Sequence, residues 1–83
     1  MIGLDTNVLA RYYVRDRSDE EAEKQHQAAR RLIESGRPLM VCKTVLLELE
    51  WVMRGYYGFT AAEIASVLNH LLALPHATVE DRD

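Results

Sequence analysis

Two short apolar runs, Ile2 to Leu4 and Leu39 to Cys42, each lead into a pair of stretches with helical periodicity. This repeated succession limits the folds open to the chain more than any other feature. Runs this short, bounded by polar residues, read as buried strands and not as helices. After the first run, Val8, Leu9, Tyr12 and Tyr13 share one helical face. The next stretch, SDEEAEKQHQAARRLIESGRP, is clearly punctuated. Ser18 and Glu21 have the S-x-x-E spacing of a capping box, and Asp19 and Glu20 suit the positive end of a helix. Ala22, Ala29, Leu32 and Ile33 form its apolar stripe. Arg30 and Arg31 sit towards its negative end, and Gly36 with Pro38 stops it.

After the second run, Thr44 is the expected N-cap of VLLELEWVMRGYYG, whose Val45, Leu49, Val52 and Met53 line one side. Gly55 and Gly58 close that helix. Thr60 and Glu63 make a further capping box ahead of AAEIASVLNHLLALP, where Ile64, Val67, Leu68, Leu71 and Leu72 recur at steps of three and four. Pro75 ends it, and 76–79 is expected as a third strand. The order strand, two helices, strand, two helices, strand implies α/β architecture with a largely parallel sheet and right-handed crossovers.

In such sheets, functional groups gather beyond the C-terminal ends of the strands. Asp5 closes the first strand, and Glu48 lies one turn into the helix after the second, on the same face as Thr44. Two readings of Asp5 stand side by side: an N-cap for the helix starting at Thr6, or a ligand for a hard cation such as magnesium. Glu48 is likewise either a solvated helix position or a second ligand. Glu50 is the decoy, lying about 200° further around the helix.

Bulk properties narrow the class. Eighty-three residues make one small domain or a piece of a larger one, and 48% hydrophobic content argues against disorder. Ten Lys and Arg against thirteen Asp and Glu, a net charge of −3, leave no strong basic footprint for nucleic acid. That does not exclude a nuclease, because divalent cations supply positive charge in an acidic site. The single cysteine rules out an internal disulfide. The start MIGLD has no leader pattern, and no apolar run approaches the roughly 18 residues of a membrane span, so a cytoplasmic protein is expected.

MIGLDTNVLARYYVRD followed by VCKTVLLELEWVMRGYYGF resembles the first half of a PIN-domain ribonuclease, most closely the VapC-like and FitB-like toxins of bacterial toxin–antitoxin operons. The resemblance runs through all 83 residues, with a hydrophobic-D-T-N-V-L opening and T-V-L-L-E-L-E-W on the third helix. It implies a three-layer α/β/α fold with a mostly parallel sheet, here limited to strands 1 to 3 and about four helices. It implies that Asp5 and Glu48 are the first two acids of a Mg2+ or Mn2+ site, with Thr6 and Asn7 bracing it. It also implies hydrolysis of RNA, a cognate antitoxin as partner, and no membrane.

Family members are longer, and their third acid comes in a G-x-D-F-x-D-like block that nothing here matches. Glu80, Asp81 and Asp83 lack its context and read as a frayed terminus. Residues 1–83 are therefore expected to be the N-terminal part of one such domain, weak or inactive as a nuclease alone. The family's five-stranded sheet is ordered 3-2-1-4-5, which leaves strand 1 as an edge here and suggests a homo-oligomer formed through it.

Other residues have plainer readings. His26, His70 and His76 lack ligand spacing and read as packed or solvated, and Cys42 as a small buried hydrophobe. Trp51, Tyr56 and Tyr57 are expected in the core or at a partner surface, with base stacking as the rival reading. Arg11, Arg15 and Arg17 either touch RNA phosphates or form a solvated helix end. The competing class is a non-catalytic antitoxin-binding or dimerisation module. A haloacid-dehalogenase-like phosphatase needs an acid where Asn7 stands and is set aside.

Overall fold

A computed structural model of the chain describes residues 2–16 and 18–80. The order is β1 (Ile2–Leu4), α1 (Thr6–Tyr13), α2 (Glu20–Ile33), β2 (Leu39–Cys42), α3 (Lys43–Gly55), α4 (Ala61–Leu72) and β3 (Ala77–Glu80). This is a small α/β domain with four helices and a three-stranded parallel sheet among the described residues. The third strand starts one residue later than expected. His76 instead feeds the sheet with its carbonyl, which accepts from Leu39 N at 2.8 Å.

Helix starts follow local hydrogen-bonding chemistry, and two of them differ from the sequence expectation. The Thr60–Glu63 capping box forms, with Glu63 N donating to Thr60 Oγ1 at 3.2 Å and Thr60 N to Glu63 Oε1 at 2.9 Å. Ser18 does not cap α2. Its N–H and hydroxyl both donate to Asp16 Oδ1, at 3.0 and 2.6 Å, and Asp19 takes the cap by accepting from Glu21 N and Ala22 N. A carboxylate is the stronger acceptor at the positive end of a helix, so the aspartate wins that position. Thr44 does not cap α3 either. The strand runs straight into the helix, which leaves Cys42 at the cap position with no side-chain hydrogen bond and Thr44 already inside. Gly36 and Gly58, at φ 80° and 70°, reverse the chain beyond α2 and α3 in a region that disfavours a side chain.

The sheet order is β1-β2-β3, with Ile2 opposite Leu39 and Leu39 opposite Ala77 in register. Among the described residues β1 pairs only with β2, so it is an edge as expected. Leu4, Leu39 and Val41 point to one face and join Leu9, Ala10, Ile33, Leu49, Met53, Ile64 and Leu71 in one buried cluster. All four helices thus contribute to a core on a single side of the sheet. That follows from topology: two right-handed crossovers stepping in the same direction place their helices on the same face. On the other face Gly3 and Thr78 are exposed, and Met40, Cys42 and Glu80 only half-buried. The described residues therefore build two layers, where the resemblance implied three.

Side-chain placement corrects the sequence reading in several positions. Leu72, expected in the apolar stripe of α4, is 57% exposed because Leu71, next to it on the helix, takes the inward position. Cys42, read as a buried hydrophobe, is half-buried on the open face. Ala10 and His26 are buried although their stripes omitted them. Among the described residues, no helix is long and apolar enough to cross a membrane.

Candidate functional site

The rim at the C-terminal ends of β1 and β2 is built by two strand-to-helix junctions. Because the strands are parallel neighbours, both junctions open on the same side of the sheet. Asp5 ends β1 in an extended conformation at φ −99°, ψ 172°, and its Oδ1 accepts from Val8 N at 2.9 Å. It is thus the N-cap of α1. Thr6, in the first turn, donates its hydroxyl to Glu48 Oε2 across the rim at 3.4 Å, a long hydrogen bond. Asp5 and Glu48 are both exposed. Among the described residues, Asp5 Oδ2 and Glu48 Oε1 have no further hydrogen-bond partner.

This places three of the four site residues singled out in the sequence on one rim. Asn7, the fourth, is exposed and lines a groove of about 500 Å³ between α1 and α2 with Val8, Arg11, Gln25, Ala28, Ala29 and Leu32. Glu50 points elsewhere, to Arg54 at 2.6 Å, as its angular offset from Glu48 requires. Two carboxylates and a hydroxyl are hard oxygen donors, and magnesium is commonly held by one or two carboxylates with waters and phosphate completing its shell. The donor set fits such an ion by its chemistry. Among the described residues no third His, Cys, Asp or Glu joins a group that could hold a metal. Of the acids near the C-terminus, Glu80 lies in β3, and Asp81 and Asp83 are outside the described residues.

A second polar cluster went unnoticed in the sequence. Tyr12, Tyr13, His26, Arg30, Glu34, Ser66, Val67 and His70 line a hollow of about 430 Å³. Tyr12 donates to Glu34 Oε2 at 3.0 Å, and Tyr13 Oη lies 2.8 Å from His70 Nδ1. Burial pushes both phenols up, and the Tyr12 hydroxyl holds the Glu34 carboxyl below its ordinary range. The adjacent tyrosines were the only signal, and nothing local ties them to residues 57 positions away.

The remaining histidines serve the fold. His26 Nδ1 donates to the Arg11 carbonyl at 2.9 Å, and His76 Nε2 to the Ile33 carbonyl at 2.7 Å. Arg15 pairs with Glu23, whose carboxyl falls to about 2 because Arg15 and then Gln27 donate to it. Arg11 lines the α1–α2 groove, and Arg17 lies outside the described residues. Tyr57 packs against the core, whereas Trp51 and Tyr56 are exposed, which leaves the core reading correct for only one of the three. No model of a known protein family matches this chain, and no curated protein does.

Proposed function

We propose that this chain carries the first part of the active site of a PIN-type, metal-dependent endoribonuclease, the toxin of a toxin–antitoxin pair. The observation that carries the reading is the meeting of Asp5, Thr6 and Glu48 on one exposed rim beyond two parallel strands. Asp5 and Glu48 are the residues that would hold Mg2+ or Mn2+, which when bound supplies positive charge to the phosphate and activates a water for in-line attack. The protein's own contribution is positioning. Val8 N–H holds one oxygen of Asp5, and the Thr6 hydroxyl reaches one oxygen of Glu48, while both carboxylate residues stay exposed. With two carboxylates in reach, the 83-residue chain alone is expected to bind the ion weakly and cleave RNA slowly.

Manganese titration followed by electron paramagnetic resonance, run beside an RNase assay, tests this. Saturable binding should weaken about tenfold or more in Asp5→Asn and in Glu48→Gln, with the residual cleavage lost in the same variants. Metal binding indifferent to both substitutions would sink the proposal.

The second reading is a non-catalytic module that binds an antitoxin. It is favoured by the groove between α1 and α2, whose floor of Ala28, Ala29 and Leu32 suits an apolar peptide. Capture of a candidate antitoxin equally well by the chain and by Asp5→Asn, with no metal binding by either, would select it.

A further inference from the structure

The hollow between the end of α1, α2 and α4 holds one buried polar side chain, His26, which is 8% exposed. Its Nδ1 donates to the Arg11 carbonyl, so in the neutral ring Nε2 is a bare acceptor. Among the described residues that nitrogen has no partner, and none of their fully buried side-chain nitrogens or oxygens lacks one. Nε2 therefore reaches the open space that His26 lines.

The other polar groups around this space have hydrogens to give. Tyr13 Oη lies 2.8 Å from His70 Nδ1, and burial pushes the phenol up, so Tyr13 keeps its proton and donates. The hydrogen of the neutral His70 ring is then on Nε2. Arg30 engages Glu34 through Nε at 3.3 Å, which leaves its two terminal nitrogens for another acceptor. The Ser66 hydroxyl has no partner among the described residues. Glu34 itself is occupied, with one oxygen accepting from Arg30 and the other from Tyr12.

We propose that this hollow binds a nucleoside monophosphate, its phosphate held by Arg30, Ser66 and His70, its base lying by the tyrosines and giving one N–H to His26 Nε2. Three donor groups match the three terminal oxygens of a phosphate monoester, whereas a carboxylate offers two. Tyr12 and Tyr13, with ring centroids 4.9 Å apart, supply the aromatic wall on which a base packs. The bonds from Tyr12 to Glu34 and from Tyr13 to His70 set these walls before any ligand arrives. A volume of about 430 Å³ is within the range of small-ligand sites.

Two other occupants fit less well. Among the described residues no group of three His, Cys, Asp or Glu could hold a metal, so the two histidines and Glu34 do not make a cation site. An apolar peptide would find Val67 as the one aliphatic side chain in the lining. The hollow and the Asp5–Glu48 rim share no residue, so either can fail without the other.

Calorimetric titration with AMP, with the ring signals of His26 and His70 followed by NMR, tests the site. EDTA is present throughout, so that the rim holds no cation. AMP should bind at least about tenfold tighter than adenosine, inorganic phosphate or phenyl phosphate, each of which lacks part of the fit. Arg30→Gln and Ser66→Ala should each weaken AMP about tenfold, and Asp5→Asn should leave it unchanged. Circular dichroism confirms that these surface variants stay folded. Absence of AMP binding into the millimolar range would overturn the proposal. So would phenyl phosphate binding as tightly as AMP, which leaves His26 without a role. Binding lost in Asp5→Asn but kept in Arg30→Gln would place the nucleotide at the rim and overturn it equally.

Discussion

At the scale of single residues, Asp5 is the N-cap of α1, and under the proposed function its carboxylate also serves a metal ion. Oδ1 accepts from Val8 N and holds the start of α1. Asparagine caps a helix about as well as aspartate but is neutral, whereas alanine does neither job. Thermal melts should therefore show Asp5→Ala destabilised by about 1 kcal/mol and Asp5→Asn by only a few tenths. Both variants should lose the metal affinity that depends on a carboxylate. Equal destabilisation by the two substitutions would mean that the cap seen at Val8 contributes nothing. Thr6 shows the same economy, since one hydroxyl at the first turn of α1 reaches Glu48 on a different helix.

At the scale of elements, each helix start shows which polar group prevails when several compete within a few residues. Before α2, three acceptors crowd the chain: Asp16, Ser18 and Asp19. Asp16 engages Ser18, which frees Asp19 for the helix end. Asp19→Ala should therefore cost about 1 kcal/mol, and Ser18→Ala less than half of that, in urea unfolding at neutral pH. A reversed order would restore the Ser18–Glu21 capping box. Helix α3 lacks a side-chain cap because β2 runs directly into it. Its stability comes from Leu49 and Met53 in the core, in keeping with helices being held mainly by their buried face.

At the scale of the whole molecule, one core on one side of the sheet means that neighbouring strand residues have very different weight. Leu39 is fully buried against the helices, while Met40 faces the side that no described helix covers. Leu39→Ala should cost about 2–5 kcal/mol, a large share of the stability of a small domain. Met40→Ala should cost well under half as much, measured as the shift in urea midpoint. Comparable losses would show that the second face is covered in solution after all. Among the described residues, the same asymmetry leaves the outer face of α3 and the second face of the sheet uncovered.

The sequence by itself determined the elements, their order and the parallel sheet, because hydrophobic period, glycine stops and the Thr60–Glu63 box are signals spread over a few residues. It also placed Asp5 at the end of β1 and Glu48 in the helix that follows β2, and parallel neighbouring strands then bring these two junctions to one side. Tertiary structure decided what local pattern leaves open. The competition at Asp16, Ser18 and Asp19 was settled by geometry that no spacing rule contains. Leu72 and Trp51 carry the same apolar character as their buried neighbours, yet lie outside because burial depends on which face meets another element. His26 became a core residue because the carbonyl of Arg11, on another helix, accepts its N–H. The number of layers was decided last, since covering a sheet face depends on where whole helices pack, and no short segment of the chain records that.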